Sequence, residues 1–154
     1  MIHHIFPVTR QWRMKLDGQS AMRRFEAPSV FSIGTVAATI LDCERPRILA
    51  EFDTDGLVMV GVSRLARDTI QGLWERHDGG DEILVLIAGR LTATFREAHR
   101  DRVLEAGAGD AILIPRGIAH SFEIRSDEVQ VLFLTPRSGN TGWSDGGRTV
   151  SRHP

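Results

Sequence analysis

Lysine occurs once in this chain, at Lys15, although lysine and arginine together number 19. Schiff-base chemistry on a buried lysine is therefore not expected. Cysteine also occurs once, at Cys43. A single thiol makes no internal disulfide and no thiolate zinc finger, and it fits a reducing compartment. Nothing beside it in the run Ala37–Asp42 would stabilise a thiolate, so it reads as an inert core group. An excess of either charge is missing too. Nineteen basic and 20 acidic residues give a net charge of -1, which offers no basis for binding nucleic acid or anionic membranes. No window approaches the ~20 apolar residues of a membrane span. No apolar run of secretory-leader type follows Met1–Pro7. The expectation is a cytoplasmic protein with neither nucleic-acid nor membrane partners.

What is present suits one globular domain: 154 residues, 42% hydrophobic and 25% charged. Three zones divide it. Residues 1–30 are mixed, with a weak helical signal over Ser20–Phe25, and form an extension expected to pack on the main domain or on a partner subunit. Residues 31–137 alternate short β-branched and aliphatic runs with turn residues. The runs are Val36–Leu41, Arg47–Phe52, Leu57–Val62, Thr69–His77, Glu82–Ala88, Leu91–Phe95, Val103–Leu104, Ala111–Ile114, His120–Arg125 and Val129–Leu134. About ten short strands with glycine-rich turns predict an all-β sandwich or barrel. Ser63–Trp74 has a rival helical reading through Leu65, Ala66, Ile70 and Leu73, and strand from Thr69 is preferred. Residues 138–154 are polar and glycine-rich and read as a tail, which Trp143 could pin to the domain or to a neighbouring subunit. The extra length at both ends, and edge strands that need covering, predict a homodimer.

Two segments carry chemistry. In the first, Trp74–Gly89, strand alternation aims Glu75 and His77 at one face, and the turn Asp78–Asp81 brings Glu82 back to the same spot. In the second, Gly109–His120, Pro115 and Gly117 bend the chain and His120 opens a new strand. If the segments meet inside one barrel, two imidazoles and two carboxylates converge. That mixed nitrogen and oxygen set suits Fe²⁺, Mn²⁺, Ni²⁺ or Zn²⁺ better than Ca²⁺ or Mg²⁺.

These segments resemble the two motifs of the cupin superfamily, G-x5-H-x-H-x4-E-x6-G and G-x5-P-x-G-x2-H-x3-N. The second half of the first motif is matched by His77, Glu82 and Gly89, and the second motif by Gly109, Pro115, Gly117 and His120. The resemblance implies a cupin-type double-stranded β-helix, a jelly-roll barrel, over residues 31–137. It also implies metal ligation by His77, Glu82 and His120. Three positions depart from the pattern: Thr69 stands for the opening glycine, Glu75 for the first histidine and Ile124 for the closing asparagine. Ligation by Glu75 rests on chemistry instead, since a carboxylate can replace imidazole at a divalent ion. Glu75 is then a fourth ligand, an acceptor behind the ligands, or a general base beside an open metal position.

Each residue has a plainer alternative. Singly, His77 or His120 would read as a structural histidine; their joint spacing with Glu82 favours a metal. Glu82 could meet Arg90 or Arg116 at the rim. Asp81 points away from Glu82 and reads as a turn residue, and His3, His4, His99 and His153 read as solvated. Gly79-Gly80 and Gly107–Gly109 precede no helix, so turn chemistry outweighs a phosphate cradle. Leu84 and Leu86 share the parity of Glu82, and Phe122 and Ile124 that of His120, so these four are expected to wall an apolar substrate pocket. Trp74 has the opposite parity from Glu75 and belongs outside the barrel or at an interface. The resemblance spans oxygenases, isomerases and lyases. The expectation is a metal-dependent small-molecule enzyme, with a non-catalytic ligand-binding or sensor cupin as the alternative.

Overall fold

The computed structural model describes residues 27–39 and 49–145. Its elements run β1 (Ser29–Ser32), α1 (Ile33–Ala37), β2 (Val58–Ala66), β3 (Leu73–His77), β4 (Glu82–Ala88), β5 (Arg90–Arg96), β6 (Asp101–Gly107), β7 (Asp110–Ile114), β8 (Ala119–Ile124), β9 (Glu128–Pro136) and β10 (Asn140–Ser144). The ten strands form two five-stranded antiparallel sheets, in the orders β1-β7-β4-β9-β2 and β10-β3-β8-β5-β6. This is the expected all-β jelly roll. Both sheets place alternate residues inward. Leu84, Leu86, Ile112, Ile114, Val129 and Val131 from the first meet Leu91, Ala93, Phe95 and Ile124 from the second.

Sharp turns keep the strands short. At Gly79 an added Cβ would stand 2.1 Å from the Ser138 carbonyl oxygen, so the Asp78–Asp81 turn closes only with glycine there. Gly89, with φ +84, sits in the left-handed region against the Glu128 carbonyl. Asp81 fastens the same corner. Its two carboxylate oxygens accept the backbone N–H of Asp53 and of Arg116, each at 2.9 Å. The glycine pair and Asp81 thus serve turn geometry.

Local differences from the sequence reading have physical causes. Val36–Leu41 was expected as a strand. Instead Ile33–Ala37 is helical, with the Ser32 hydroxyl accepting from the Thr35 N–H at 3.3 Å; the cap outweighs the β-branched preference. Residues 40–41 and Cys43 lie outside the described residues, as do 47–48, and Leu49–Phe52 adds no extended strand. The helical reading of Ser63–Trp74 fails because Ser63–Ala66 continues β2 in register with Glu128–Val131. The next strand starts at Leu73 rather than Thr69, after a turn in which the Leu73 N–H donates to the Ile70 carbonyl at 3.2 Å. Residues 138–154 were read as a tail, yet Asn140–Ser144 pairs along the whole of β3. Residues 1–26 and 146–154, with His3, His4, His153 and the Ser20–Phe25 signal, lie outside the described residues.

Candidate metal centre

Strand pairing delivers the convergence. Glu75 and His77 sit two apart on β3, and Glu75 stands directly across from His120 of β8. The ligand atoms of Glu75, His77 and His120 all lie within 4.8 Å of one another. Glu82 arrives from β4 in the opposite sheet. Its Oε2 is 3.1 Å from His77 Nε2 and 3.3 Å from His120 Nε2. His77, Glu82 and His120 are buried, at 6%, 4% and 1% exposure, and Glu75 is half-buried. The rim alternative for Glu82 is excluded: it turns inward, and Arg116 pairs with Asp55 at 2.6 Å.

The tautomers follow from what lies behind each ring. The Asn140 amide donates to the Pro136 carbonyl at 2.8 Å, which leaves its Oδ1 facing His77 Nδ1 at 2.9 Å. An amide oxygen only accepts, so His77 Nδ1 carries the hydrogen. His120 Nδ1 lies 3.1 Å from the Ile118 carbonyl and carries its hydrogen for the same reason. Both Nε2 atoms therefore turn inward, where a neutral ring offers a lone pair to the Glu82 carboxylate. Lone pairs facing lone pairs in a dry interior are unfavourable unless a positive charge lies between them. His120 Nε2 in fact has no aligned hydrogen-bond partner, although Glu82 is near enough to act on it electrostatically. A divalent cation fits this donor set, and a proton on His77 is its substitute.

The electrostatics follow. Burial alone would raise the Glu82 pKa, but the imidazoles of His120 and His77, which both face its carboxylate, outweigh it and hold the carboxyl far below its ordinary range. Burial pulls His77 down, yet Glu82, with help from Asn140 and Glu75, leaves it above its ordinary value. Glu82 Oε1 also accepts from the Thr135 hydroxyl at 2.5 Å.

The four atoms sit at the polar end of a cavity of about 960 Å³. Its apolar wall includes Met59, Leu65, Ile70, Leu73, Leu84, Leu91, Phe122, Val131 and Phe133. Leu84 and Phe122 line it as expected. Leu86 and Ile124 do not; they lie in the packed core at 1% and 2% exposure. Their cross-strand partners, Val131 for Leu86 and Leu91 for Ile124, cover that level of the cavity wall instead. Trp74 packs on the outer face of its sheet, stacked on Trp143 at 6.4 Å between centroids, with Arg96 over its ring and Nε1–H donating to Asp145 at 2.6 Å.

The sequence reading missed Thr135 and Asn140. Thr135 was accessible, because it ends the inward series Val129, Val131, Phe133 with a hydroxyl. Asn140 was not, because its place depends on pairing between residues 63 apart.

A two-sheet barrel holding histidines and carboxylates in its interior defines a jelly-roll protein with a metal-type centre. The family model for the cupin domain matches residues 61–135, and the chain belongs to the cupin superfamily. Acireductone dioxygenases from two strains of Rhodopseudomonas palustris are each 30% identical over 114 residues, covering 71% of this chain and 66% of theirs. The chain thus spans 66% of the length of these relatives, just under two thirds. Among solved structures, a cupin-2 domain containing protein from Shewanella frigidimarina is 20% identical, covering 70% of this chain and 94% of that one, with a TM-score of 0.42. Oxalate decarboxylase from Lactobacillus farciminis is 16% identical, covering 80% and 32%, with a TM-score of 0.47. No helix among the described residues is long and apolar enough to cross a membrane.

Proposed function

We propose that this cupin is a metal-dependent enzyme acting on a small, partly apolar organic molecule. The observation that carries the reading is that Asn140 and the Ile118 carbonyl hold the Nδ1 sides of His77 and His120, which turns both Nε2 atoms inward toward Glu82 and Glu75 in a largely apolar cavity. His77, His120 and Glu82 would hold Fe²⁺, Mn²⁺, Ni²⁺ or Zn²⁺, with Glu75 as fourth ligand or proton carrier. When bound, such an ion supplies Lewis acidity toward a substrate oxygen or redox chemistry with dioxygen. The chain supplies the rest. Leu84, Phe122 and Phe133 exclude water from the apolar part of the substrate. Glu75, half-buried beside His77 and His120, is the group placed to move a proton to or from a substrate atom. The likeness to acireductone dioxygenases favours an oxygenase over an isomerase or lyase.

The test begins with elemental analysis of untagged protein purified without added metal, followed by reconstitution and oxygen-uptake assays on small enediols and hydroxyketones. One metal per chain and turnover are expected. Glu75→Gln and His120→Ala should each lower kcat by at least 100-fold while circular dichroism stays that of the folded barrel. Full activity in both variants ends the enzyme reading at this site. Metal without turnover on any substrate would make the chain a ligand-binding cupin instead.

A homodimer in a cytoplasmic setting belongs to the same proposal. Val60, Val62 and Ile87, at 65%, 66% and 51% exposure, are apolar groups a second copy would cover. Sedimentation equilibrium reads that state directly.

A further inference from the structure

We infer that Asn140 is a positioning residue that dictates which nitrogen of His77 faces the centre. The inference rests on the metal-binding reading above and adds a residue that the family motifs do not contain. Asn140 lies on the edge strand β10, opposite His77 in the register. Its amide has no freedom to turn over. The Pro136 carbonyl needs a donor, so the NH₂ group points there at 2.8 Å and the oxygen is left for His77 Nδ1 at 2.9 Å. Were Oδ1 absent, the neutral ring would have a better arrangement. It would carry its hydrogen on Nε2 and donate to Glu82, 3.1 Å away. That tautomer closes the centre, because an incoming cation would have to displace both a proton and a hydrogen bond. Asn140 therefore keeps an inward lone pair available, the task that a carboxylate or carbonyl behind a metal-ligating histidine commonly performs. His120 is served differently, by the backbone carbonyl of Ile118, which no side-chain substitution removes. The two imidazoles thus offer a built-in control.

The test uses the full chain with ¹⁵N-labelled histidine, Zn²⁺ as the diamagnetic probe, and the variants Asn140→Ala and Asn140→Asp. The metal-free wild type is expected to show a slowly exchanging Nδ1–H for His77 as well as His120, whether or not any ion binds. Asn140→Ala should lose the His77 signal, keep that of His120, and bind Zn²⁺ about 10–100-fold more weakly in chelator competition. Asn140→Asp restores an acceptor and should recover both the signal and most of the affinity. The Trp74–Trp143 stack, read by near-ultraviolet circular dichroism, reports that β10 stays docked in each variant. Unchanged Zn²⁺ affinity in Asn140→Ala overturns the inference, as does a wild-type His77 without Nδ1–H. A wild type that shows both Nδ1–H signals but takes up no Zn²⁺, Fe²⁺, Mn²⁺ or Ni²⁺ removes the metal reading, and with it the role claimed for Asn140 in metal binding.

Discussion

Glu82 decides more than any other single side chain. It is the carboxylate from the first sheet that meets both imidazoles of the second. Its pKa lies below the ordinary value, so the stability it contributes is present above about pH 4.5 and is lost as pH falls. His77 lies above its ordinary value, so its contribution is complete below about pH 6.5 and is lost as pH rises. Both limbs describe one ion pair and are counted once. In the metal-free chain this pair is therefore most stabilising between about pH 4.5 and 6.5. Glu82→Gln should flatten both limbs and cost about 2–3 kcal/mol near pH 5.5, measured by urea unfolding from pH 4 to 9 in the presence of a chelator. An unaltered profile in that variant would mean the pair does not control the response. The same proton competes with a cation for His77 Nε2, so metal affinity should rise with pH across this range.

Among the elements, β10 separates what could be read from the sequence from what could not. The strands β4, β7 and β9 announce themselves by short aliphatic and β-branched runs, and the turns by glycine. His77, Glu82 and His120 were legible because fixed spacings on such strands survive without knowledge of the sheet order. Asn140–Ser144 has no apolar alternation; Gly142 and Thr141 carry nothing to bury. The segment is a strand because β3 offers it a complete register and because Trp143 finds Trp74. Those are long-range events that local composition does not encode. α1 failed for the opposite reason, since a short cap overrode a strand-like composition. Trp143→Ala removes one of the two rings in the stack, a contact worth about 0.5–1.5 kcal/mol beyond its buried area. Faster amide exchange is then expected across Asn140–Ser144, with β4, β7 and β9 unchanged. Protection of Asn140–Ser144 equal to the wild type would show that backbone pairing alone holds β10.

At the scale of the molecule, the centre lies between the sheets. Glu82 on β4 and Thr135 on β9 belong to the first; Glu75 and His77 on β3, His120 on β8 and Asn140 on β10 belong to the second. Elsewhere the sheets meet through apolar packing, which is non-directional. Here they meet through polar atoms with fixed partners, so an ion bound by both would be a cross-link as well as a reaction centre. Binding to the folded chain alone stabilises it by about 4 kcal/mol at a free-metal concentration 1,000-fold above Kd. For a domain of this size that raises Tm by about 8–16 °C. The gain should shrink sharply in Glu82→Gln, where the first sheet loses its ligand, even if His77, His120 and Glu75 still hold some metal from the second. Calorimetry with and without metal, on wild type and variant, reads the difference. Equal gains in both proteins would place the ion wholly on the second sheet and reduce Glu82 to a counter-charge for His77.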